Sequence, residues 1–486
     1  MRALLMRVVG IGTIFLLVWL VVVIYWQNTS RLPSESELVL YLGVVPLVLV
    51  GAGWGVMKLV SQPQAGPAAP SDATKQTEDL RKHNAEQERE WTLNIVASSL
   101  QTSAGTSSSE VLSKLQAGDI DFELDPELKN SEGFPVFSAR IAELEDSETR
   151  AVIAEWQKTS MQPDLQWSES QYRALHLAAL STNELASLAS EHPDVQRCLK
   201  QKEEGRLKKD DTVLPLRLIG LWPRQWSEAH QSMASAWLKS LIVQYGWPEH
   251  RILVQKAKTE QANPISLLDE INVSAHRMQL PTIGILVASD SGIQQEYVDA
   301  LAAKNNLFGG KNTQGSRPGE AAAGLLFADA EQSKMLGTGQ CSSLHRASWA
   351  SREKSADEKG RVSADLLGSL VGLAVEISKV EVSKIQLISA DNDHRPSRES
   401  ELAEMVTKTF PDLDAAKDAL KAAQACGSLP QITTVAALCI AHQYVINEQL
   451  PVLCASLHDP LLRAAVVLRV PFEIDIKDKS DTAKAA

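Results

Sequence analysis

The sequence predicts an α/β protein that is preceded by two membrane-spanning helices. Beyond residue 213, short apolar runs bounded by turn residues alternate with longer segments of helical periodicity. Uniformly apolar strands of this kind are typical of a sheet that is buried on both faces. Near the amino terminus, residues 8–26 and 38–57 are almost wholly apolar. The chain has 486 residues, which is enough for a large core and several domain-sized units.

The two apolar segments, 8–26 and 38–57, each have the roughly 20 residues that a helix needs to cross a bilayer core. Their connector, 27–37, is short, so residues 1–60 are predicted to form a transmembrane hairpin. The alternative for the first segment is a signal peptide, but no A-x-A-like cleavage site follows it. Lys and Arg flank the hairpin, and the connector holds one Arg and two Glu. The positive-inside rule therefore places the soluble part in the cytoplasm.

The rest of the chain divides by composition. Residues 61–90 are first rich in Pro, Ala, Gly and Ser and then strongly charged, which predicts a flexible and charged linker. Residues 91–335 and 362–472 carry the alternating strands and helices, with a polar connector over 336–361. The charged tail over 473–486 has no core-forming pattern and is predicted to be disordered.

The elements follow from apolar runs and from periodicity. Residues 317–328 begin with a Pro-Gly turn and continue through small residues into an apolar run. Such a run fits a buried strand about as well as a buried helix, and the preceding loop favours the strand. The other predicted strands cover 213–221, 251–256, 283–288, 385–390, 452–456 and 464–470. The predicted helices cover 225–245, 266–279 with Ser266 as N-cap, 294–304, 362–380, 399–410, 413–424 and 432–448. Residues 331–359 are predicted to be irregular.

Composition excludes several classes of function. A net charge of −12 without a basic stripe argues against nucleic-acid binding. Five widely spaced cysteines without CxxC pairs predict neither a disulfide framework nor a zinc site. The alternating acidic run over 119–125 is interpreted as an edge strand or loop, and 391–394 as a polar loop, rather than as cation sites. Neither a P-loop nor a GxSxG elbow is present. We therefore predict no cofactor and no metal.

The order of segments from 264 to 471 resembles the thiolase-like layered fold, in its β-ketoacyl synthase branch. The segments that carry this resemblance are 283–289, 318–322 with the sequence Pro-Gly-Glu-Ala-Ala, 385–401, and 425–437. Enzymes of that branch use a cysteine as acyl acceptor and two histidines that assist decarboxylation. Matching the segments puts the cysteine position on Pro264 and the histidine positions on Asp391 and Ser428. The resemblance therefore implies a pseudoenzyme whose fold serves as a binding surface.

The chain is also similar to the type VI secretion lipase-adapter family, through segments 134–156, 213–226 and 317–327. This resemblance implies a non-catalytic adapter that binds a lipase-type effector and a secretion spike protein. Combined with the hairpin, it predicts a protein of the bacterial inner membrane whose soluble part lies in the cytoplasm. Thiolase-like folds are commonly dimers, so the resemblance also implies a homodimer. The hairpin departs from the family pattern, since an adapter need only be soluble.

Two alternative functions stay open at the level of sequence. The first is an acyl-transferring condensing enzyme that uses displaced residues such as Cys341 and His394. The second is a membrane-bound scaffold unrelated to secretion. An acyl adduct on a cysteine would support the first alternative, and the neighbouring genes would separate the second from an adapter.

Overall fold

The computed structural model describes residues 86–205, 213–256, 263–337 and 339–471, together with Trp19. Apart from Trp19, the predicted membrane segments 8–26 and 38–57 lie outside these residues, as do most of the predicted linker and the predicted tail. Within the described ranges, no helix is both long enough and apolar enough to cross a membrane.

Helices and strands alternate along the described chain. The helices are α1 (Ser108–Ala117), α2 (Ser147–Lys158), α3 (Glu169–Ser190), α4 (Pro193–Glu203), α5 (Glu228–Gln244), α6 (Pro264–Met278), α7 (Gln295–Ala303), α8 (Ala330–Met335), α9 (Asp365–Ser378), α10 (Pro396–Thr409), α11 (Ala423–Cys426) and α12 (Pro430–Glu448). The strands are β1 (Leu93–Gln101), β2 (Glu123–Lys129), β3 (Pro135–Ser138), β4 (Leu216–Leu221), β5 (Ile252–Val254), β6 (Ile283–Ser291), β7 (Glu320–Ala328), β8 (Ser342–Leu344), β9 (Ser348–Ser351), β10 (Leu387–Ala390), β11 (Ala419–Lys421), β12 (Val452–Ser456) and β13 (Leu462–Arg469).

The large sheet consists of two halves that repeat one strand order. Its order is β11-β10-β12-β13-β8-β1-β7-β6-β4-β5, with β9 paired to β13. From its outer edge to the centre of the sheet, the first half has the order β5-β4-β6-β7-β1 and the second half has the order β11-β10-β12-β13-β8. If β9 is left out, the strands of each half, counted along the chain, therefore stand in the order third, second, fourth, fifth, first. The fifth strand of each half, β7 or β13, runs antiparallel to both of its neighbours. The halves meet where β1 pairs antiparallel with β8. A separate hairpin of β2 and β3 lies outside this sheet.

Two central helices, α6 and α12, lie between the halves and share one core with both of them. Helix α12 is buried along most of its length, and its sequence is apolar on nearly every side, as a fully buried helix requires. Helices α3 and α5 cover the outer face of the first half. Helices α9 and α10 cover the outer face of the second half. The result is a layered α/β arrangement in which both strand halves are buried on two faces.

Strand β7 confirms the prediction of a buried strand within 317–328. All nine of its residues are buried, and it is paired on both edges, with β6 and with β1. The small residues at its start allow a close backbone contact. A Cβ atom added at Gly319 would lie 2.1 Å from the carbonyl oxygen of Cys426. Gly319 is therefore required by the approach of the α11–α12 turn to the start of β7.

Replacing Gly319 by alanine is expected to lower the free energy of unfolding by about 1–3 kcal/mol, because the backbone contact with Cys426 must open. Leucine at Gly319 or at buried Ala322 is expected to have an effect of the same sign. The matched control is Gly368→Ala in α9, where an added Cβ meets nothing within 4 Å. That replacement is expected to stabilise the protein slightly. Equal urea midpoints for the two variants would contradict the contact.

The structure corrects three predictions about secondary structure. Helix α6 is capped by Asn263 and not by Ser266, because the Asn263 side chain accepts a hydrogen bond from the amide of Ile265. The predicted helix over 413–424 is instead a turn followed by β11 and α11. No helix forms at the start of this segment, because the Asp414 carboxylate accepts a hydrogen bond from the amide of Ala416. Such a local bond competes with the hydrogen bonds of a helix.

The third correction concerns residues 331–359, which are predicted to be irregular. They contain β8, β9 and all of α8 except its first residue, Ala330. Strand β8 has only three residues, Ser342–Leu344, and all of them are buried between β1 and β13. Pairing on both edges, rather than an apolar pattern, makes this segment a strand.

Candidate functional site

The first predicted site position, Pro264, opens the central helix α6. Proline suits this position because its fixed backbone angle matches the helix and its missing N–H would have no partner there. The preceding Asn263 caps the helix through the amide of Ile265 at 2.9 Å. The Asn263 amide group also donates to the Ser456 hydroxyl at 2.7 Å. Pro264 is buried and offers no nucleophilic atom.

The second position, Asp391, follows the last residue of β10 and is 1 % exposed. Its carboxylate accepts four hydrogen bonds. The donors are the Thr434 hydroxyl at 2.7 Å, the Ser456 hydroxyl at 2.5 Å, and the backbone amides of Leu457 at 2.7 Å and His458 at 2.9 Å. Both oxygens are therefore occupied, and the residue anchors the end of β12 and helix α12 to the end of β10.

The third position, Ser428, lies just before α12 and is 7 % exposed. Its hydroxyl accepts a hydrogen bond from the backbone amide of Arg317 at 3.2 Å and donates one to the carboxylate of Asp393 at 3.3 Å. The preceding Gly427 has a φ of +78°, a left-handed conformation that favours glycine. Ser428 thus holds the turn before α12 against the loop before β7.

The fold brings these three positions into one neighbourhood around the starts of α6 and α12. A chain of hydrogen bonds leads from Asn263 beside Pro264 through Ser456 to Asp391. Ser428 joins the same loop two residues further along, at Asp393. Sequence reasoning missed Asn263 and Ser456. An Asn-Pro pair before a helical pattern was a usable cap signal for Asn263, whereas nothing in the sequence marked Ser456.

A cavity of about 360 Å³ opens beside Ser428. It is lined by Ile120, Asp121, Phe122, Phe137, Phe308, Arg317, Asp393, His394, Glu399, Lys421, Ala423, Gln424, Gly427 and Ser428. The His394 ring packs edge-on against the Phe308 ring, with centroids 4.7 Å apart. Burial and the neighbouring Arg317 guanidinium lower the pKa of His394 to about 4. His394 is therefore neutral at physiological pH.

Cys341, Cys426, Cys439 and Cys454 form no disulfide. Burial raises the pKa of Cys426 to about 12, and it also raises the pKa values of Cys439 and Cys454. The pKa of Cys341 is raised by burial as well. The reactive form of a cysteine is the thiolate, which a raised pKa suppresses. No cysteine lines the cavity beside Ser428.

Cys341 and His394 lie at opposite ends of β7. The residue after Cys341, Ser342, is joined through β1 to Phe327, near the end of that strand. His394 shares the cavity lining with Arg317, which precedes the start of the strand. A strand of nine residues spans about 30 Å. This placement separates the two side chains that a displaced condensing mechanism would combine.

Within the described parts of the chain, no group of three or more His, Cys, Asp or Glu side chains is arranged to hold a metal ion. The loop over 391–394 instead uses its carboxylates internally. Asp391 accepts the four hydrogen bonds already given, and Asp393 accepts bonds from the Arg395 guanidinium at 2.8 and 3.0 Å. These oxygens are engaged by protein donors.

The duplicated strand order around two central helices defines a class: the protein has a thiolase-like ketosynthase fold. Among solved structures it is similar to the ishigamide ketosynthase/chain length factor, with 13% identity, 79% of this chain and 100% of that chain covered, and a TM-score of 0.51. It is also similar to the oxazolomycin ketosynthase domain OzmH KS7 of Streptomyces albus JA3453, with 11% identity, 79% and 74% coverage, and a TM-score of 0.52. The module 6 ketosynthase of the bacillaene synthase from Bacillus subtilis 168 gives 9% identity, 78% and 72% coverage, and a TM-score of 0.50.

These identities are low, so the likeness establishes the fold and not an activity. No family model matches the sequence. No curated protein matches it either.

Proposed function

We propose that this protein is a non-catalytic adapter of ketosynthase fold that binds a lipase-type effector for delivery by a type VI secretion system. The observation that carries the non-catalytic part is the environment of Asp391, whose buried carboxylate is fully occupied by four protein donors. A group held in this way stabilises a fold, but it is not free to bind or protonate a substrate.

The neighbouring positions support the same conclusion. Acyl transfer through a covalent intermediate needs an activated nucleophile next to a group that can take its proton. At the start of α6, Pro264 supplies neither. At the start of α12, the Ser428 hydroxyl bridges Arg317 and Asp393. Without an acyl acceptor at this site, binding is the function that remains for the fold.

The identity of the partner rests on the resemblance to the lipase-adapter family through 134–156, 213–226 and 317–327. Two of these segments hold mainly core strands, β4 and β7. The first contains Phe134, which is 62 % exposed, next to the hairpin of β2 and β3. We propose that 8–57 tethers the protein to the bacterial inner membrane with the soluble part in the cytoplasm. A spike protein is the second proposed partner.

A homodimer also belongs to this proposal. Strand β5 stands at one end of the sheet order and exposes Leu253 and Val254. An exposed apolar edge strand is a template for pairing with a second copy. Sedimentation of the full chain in detergent should give twice the protomer mass, and a monomer at all concentrations would contradict this part.

The adapter function is tested by affinity purification of the tagged full chain together with the lipase encoded beside it. We expect the lipase and a spike protein to be retained through a detergent wash. The control is an unrelated tagged membrane protein prepared in the same detergent, which should retain neither. Failure of the full chain to retain the lipase above this control would contradict the adapter function.

The alternative, a condensing enzyme that uses Cys341 and His394, draws its support from the ketosynthase fold itself. Cys341 and His394 lie at the two ends of β7, which disfavours a mechanism in which both act on one substrate. A membrane-bound scaffold unrelated to secretion is separated from an adapter by gene neighbourhood. The absence of a secretion cluster around the gene would favour the scaffold.

A further inference from the structure

The cavity beside Ser428, which we name the Arg317 cavity, has features that the adapter function does not use. Three phenylalanine rings, those of Phe122, Phe137 and Phe308, form its apolar part together with Ile120 and Ala423. Arg317 lies among them. A volume of about 360 Å³ lies within the range of small-molecule sites, and the lining combines these rings with several polar side chains.

Arg317 is held between two of these rings. Its Cζ atom lies 4.3 Å from the centroid of the Phe122 ring and 4.0 Å from that of the Phe308 ring. Stacking of this kind fixes the plane of a guanidinium without using its N–H groups. Arg317 is thus oriented in advance of any ligand.

The guanidinium of Arg317 has no protein acceptor among the described residues. Its Nε is buried without a hydrogen-bond partner, and no ion pair involves this side chain within the described ranges. Burial lowers the pKa of Arg317 from its usual value, which reflects a partly desolvated charge. Arg317 as a whole is half-buried, and its Nε is a buried polar atom of the kind that usually has a hydrogen-bond partner.

The other charged side chains of the lining either form ion pairs with protein groups or are exposed to solvent. Lys421 pairs with Glu399 at 2.6 Å. Asp393 binds the Arg395 guanidinium through both carboxylate oxygens. Asp121 is exposed to solvent, and His394 is neutral. The negative charge of Asp393 acts on Arg317 electrostatically, but the two side chains form no ion pair among the described residues. The cavity therefore offers one guanidinium without an ion-pair partner in the described ranges, and the lining carboxylates disfavour a multiply charged anion more than a singly charged one.

We propose that the Arg317 cavity binds a small organic carboxylate with an aryl or short alkyl body. The Arg317 guanidinium holds the carboxylate through two parallel N–H···O bonds, the geometry for which arginine is suited. The body packs against Phe122, Phe137 and Phe308. The lining carboxylates repel a singly charged ligand less than a multiply charged one, which favours a carboxylate over a phosphate. This binding does not depend on an adapter function.

Isothermal titration of the full chain in detergent tests the proposal with phenylacetate, with the neutral and similarly shaped phenylacetamide, and with inorganic phosphate. We expect phenylacetate to bind with a Kd on the order of 1 mM or below. Phenylacetamide should bind at least about tenfold more weakly, because it lacks the charge that Arg317 pairs with. Equal affinities for the two compounds, tighter binding of phosphate, or no binding of phenylacetate would each overturn the proposal.

A variant assigns the binding to the cavity. Arg317→Gln should weaken phenylacetate binding at least about tenfold. Arg89→Gln is the matched control, because Arg89 lies at the surface in a pair with Glu376. It should leave the affinity unchanged. An Arg317→Gln variant that binds phenylacetate as tightly as the Arg89→Gln variant would overturn the assignment. If Arg317→Gln fails to fold, the affinities of the unaltered chain for phenylacetate and phenylacetamide still test whether a carboxylate is preferred.

Discussion

Replacing Glu401 by alanine is expected to lower the free energy of unfolding by about 3–5 kcal/mol. Glu401 lies on α10 and is fully buried. Its carboxylate accepts two hydrogen bonds from the Arg463 guanidinium, both at 2.8 Å, and one from Arg352 at 2.9 Å. Arg463 is itself fully buried. Removing the carboxylate leaves a guanidinium inside the second half of the fold without its counter-ion, and urea unfolding at neutral pH measures the loss.

The control for this prediction is Glu376→Ala on α9. Glu376 also pairs with an arginine, Arg89, but its side chain is 69% exposed and that of Arg89 is 54% exposed. Water and salt screen such a pair, so its removal is expected to change stability by less than about 1 kcal/mol. Similar urea midpoints for the Glu401 and Glu376 variants would show that the buried network does not stabilise the fold.

Replacing Glu320 by alanine is expected to have the next largest effect, a loss of about 3 kcal/mol. Glu320 is the first residue of β7 and is fully buried. Its carboxylate accepts hydrogen bonds from the Arg173 guanidinium at 2.7 and 2.5 Å, from the Ser291 hydroxyl at 3.0 Å, and from the amide of Ile141 at 2.9 Å. The Glu320 carboxylate therefore links the start of β7 by hydrogen bonds to α3, to β6 and to the segment after β3. We place the effect at the lower end of the range because the Arg173 side chain is 16% exposed.

A double-mutant cycle separates the pair from its surroundings. Replacing Glu320 by leucine and Arg173 by methionine together removes both charges while keeping apolar volume. Because the double variant leaves no buried charge unpaired, we expect it to be destabilised by less than the sum of the single variants Glu320→Leu and Arg173→Met. Urea unfolding of all variants measures the coupling. A double variant as unstable as the sum of the single ones would contradict a direct interaction between the two side chains.

The parts of the fold that sequence could predict are those with long apolar patterns. Strand β7 and helix α12 have continuous apolar runs, and the sequence predicts the position of each to within a few residues. Strands β8 and β11 have three residues each, and their polar or alanine-rich sequences have no strand pattern. They form because neighbouring strands supply backbone partners. The repeated strand order likewise exists only in the pairing and not as a repeat of residues.

The site shows the same division. Resemblance singled out Pro264, Asp391 and Ser428, and the fold places all three near the starts of the central helices. Their equivalence to catalytic positions stays a prediction. The four hydrogen bonds to the Asp391 carboxylate could be predicted only by knowing that β12 ends beside β10. The Arg317 cavity could be predicted only by knowing that three segments, near residues 122, 308 and 317, come together in the fold. Neither arrangement leaves a local trace in the sequence.

Our proposal that this ketosynthase fold has no acyl acceptor is tested most directly by measuring the intact mass of the full chain after incubation with an acyl thioester. Buried thiols with raised pKa values and a proline at the start of α6 predict an unmodified mass. A condensing enzyme of known activity serves as the positive control. An acyl adduct on the chain that disappears in the Cys341→Ala variant would contradict the account and establish the condensing-enzyme alternative.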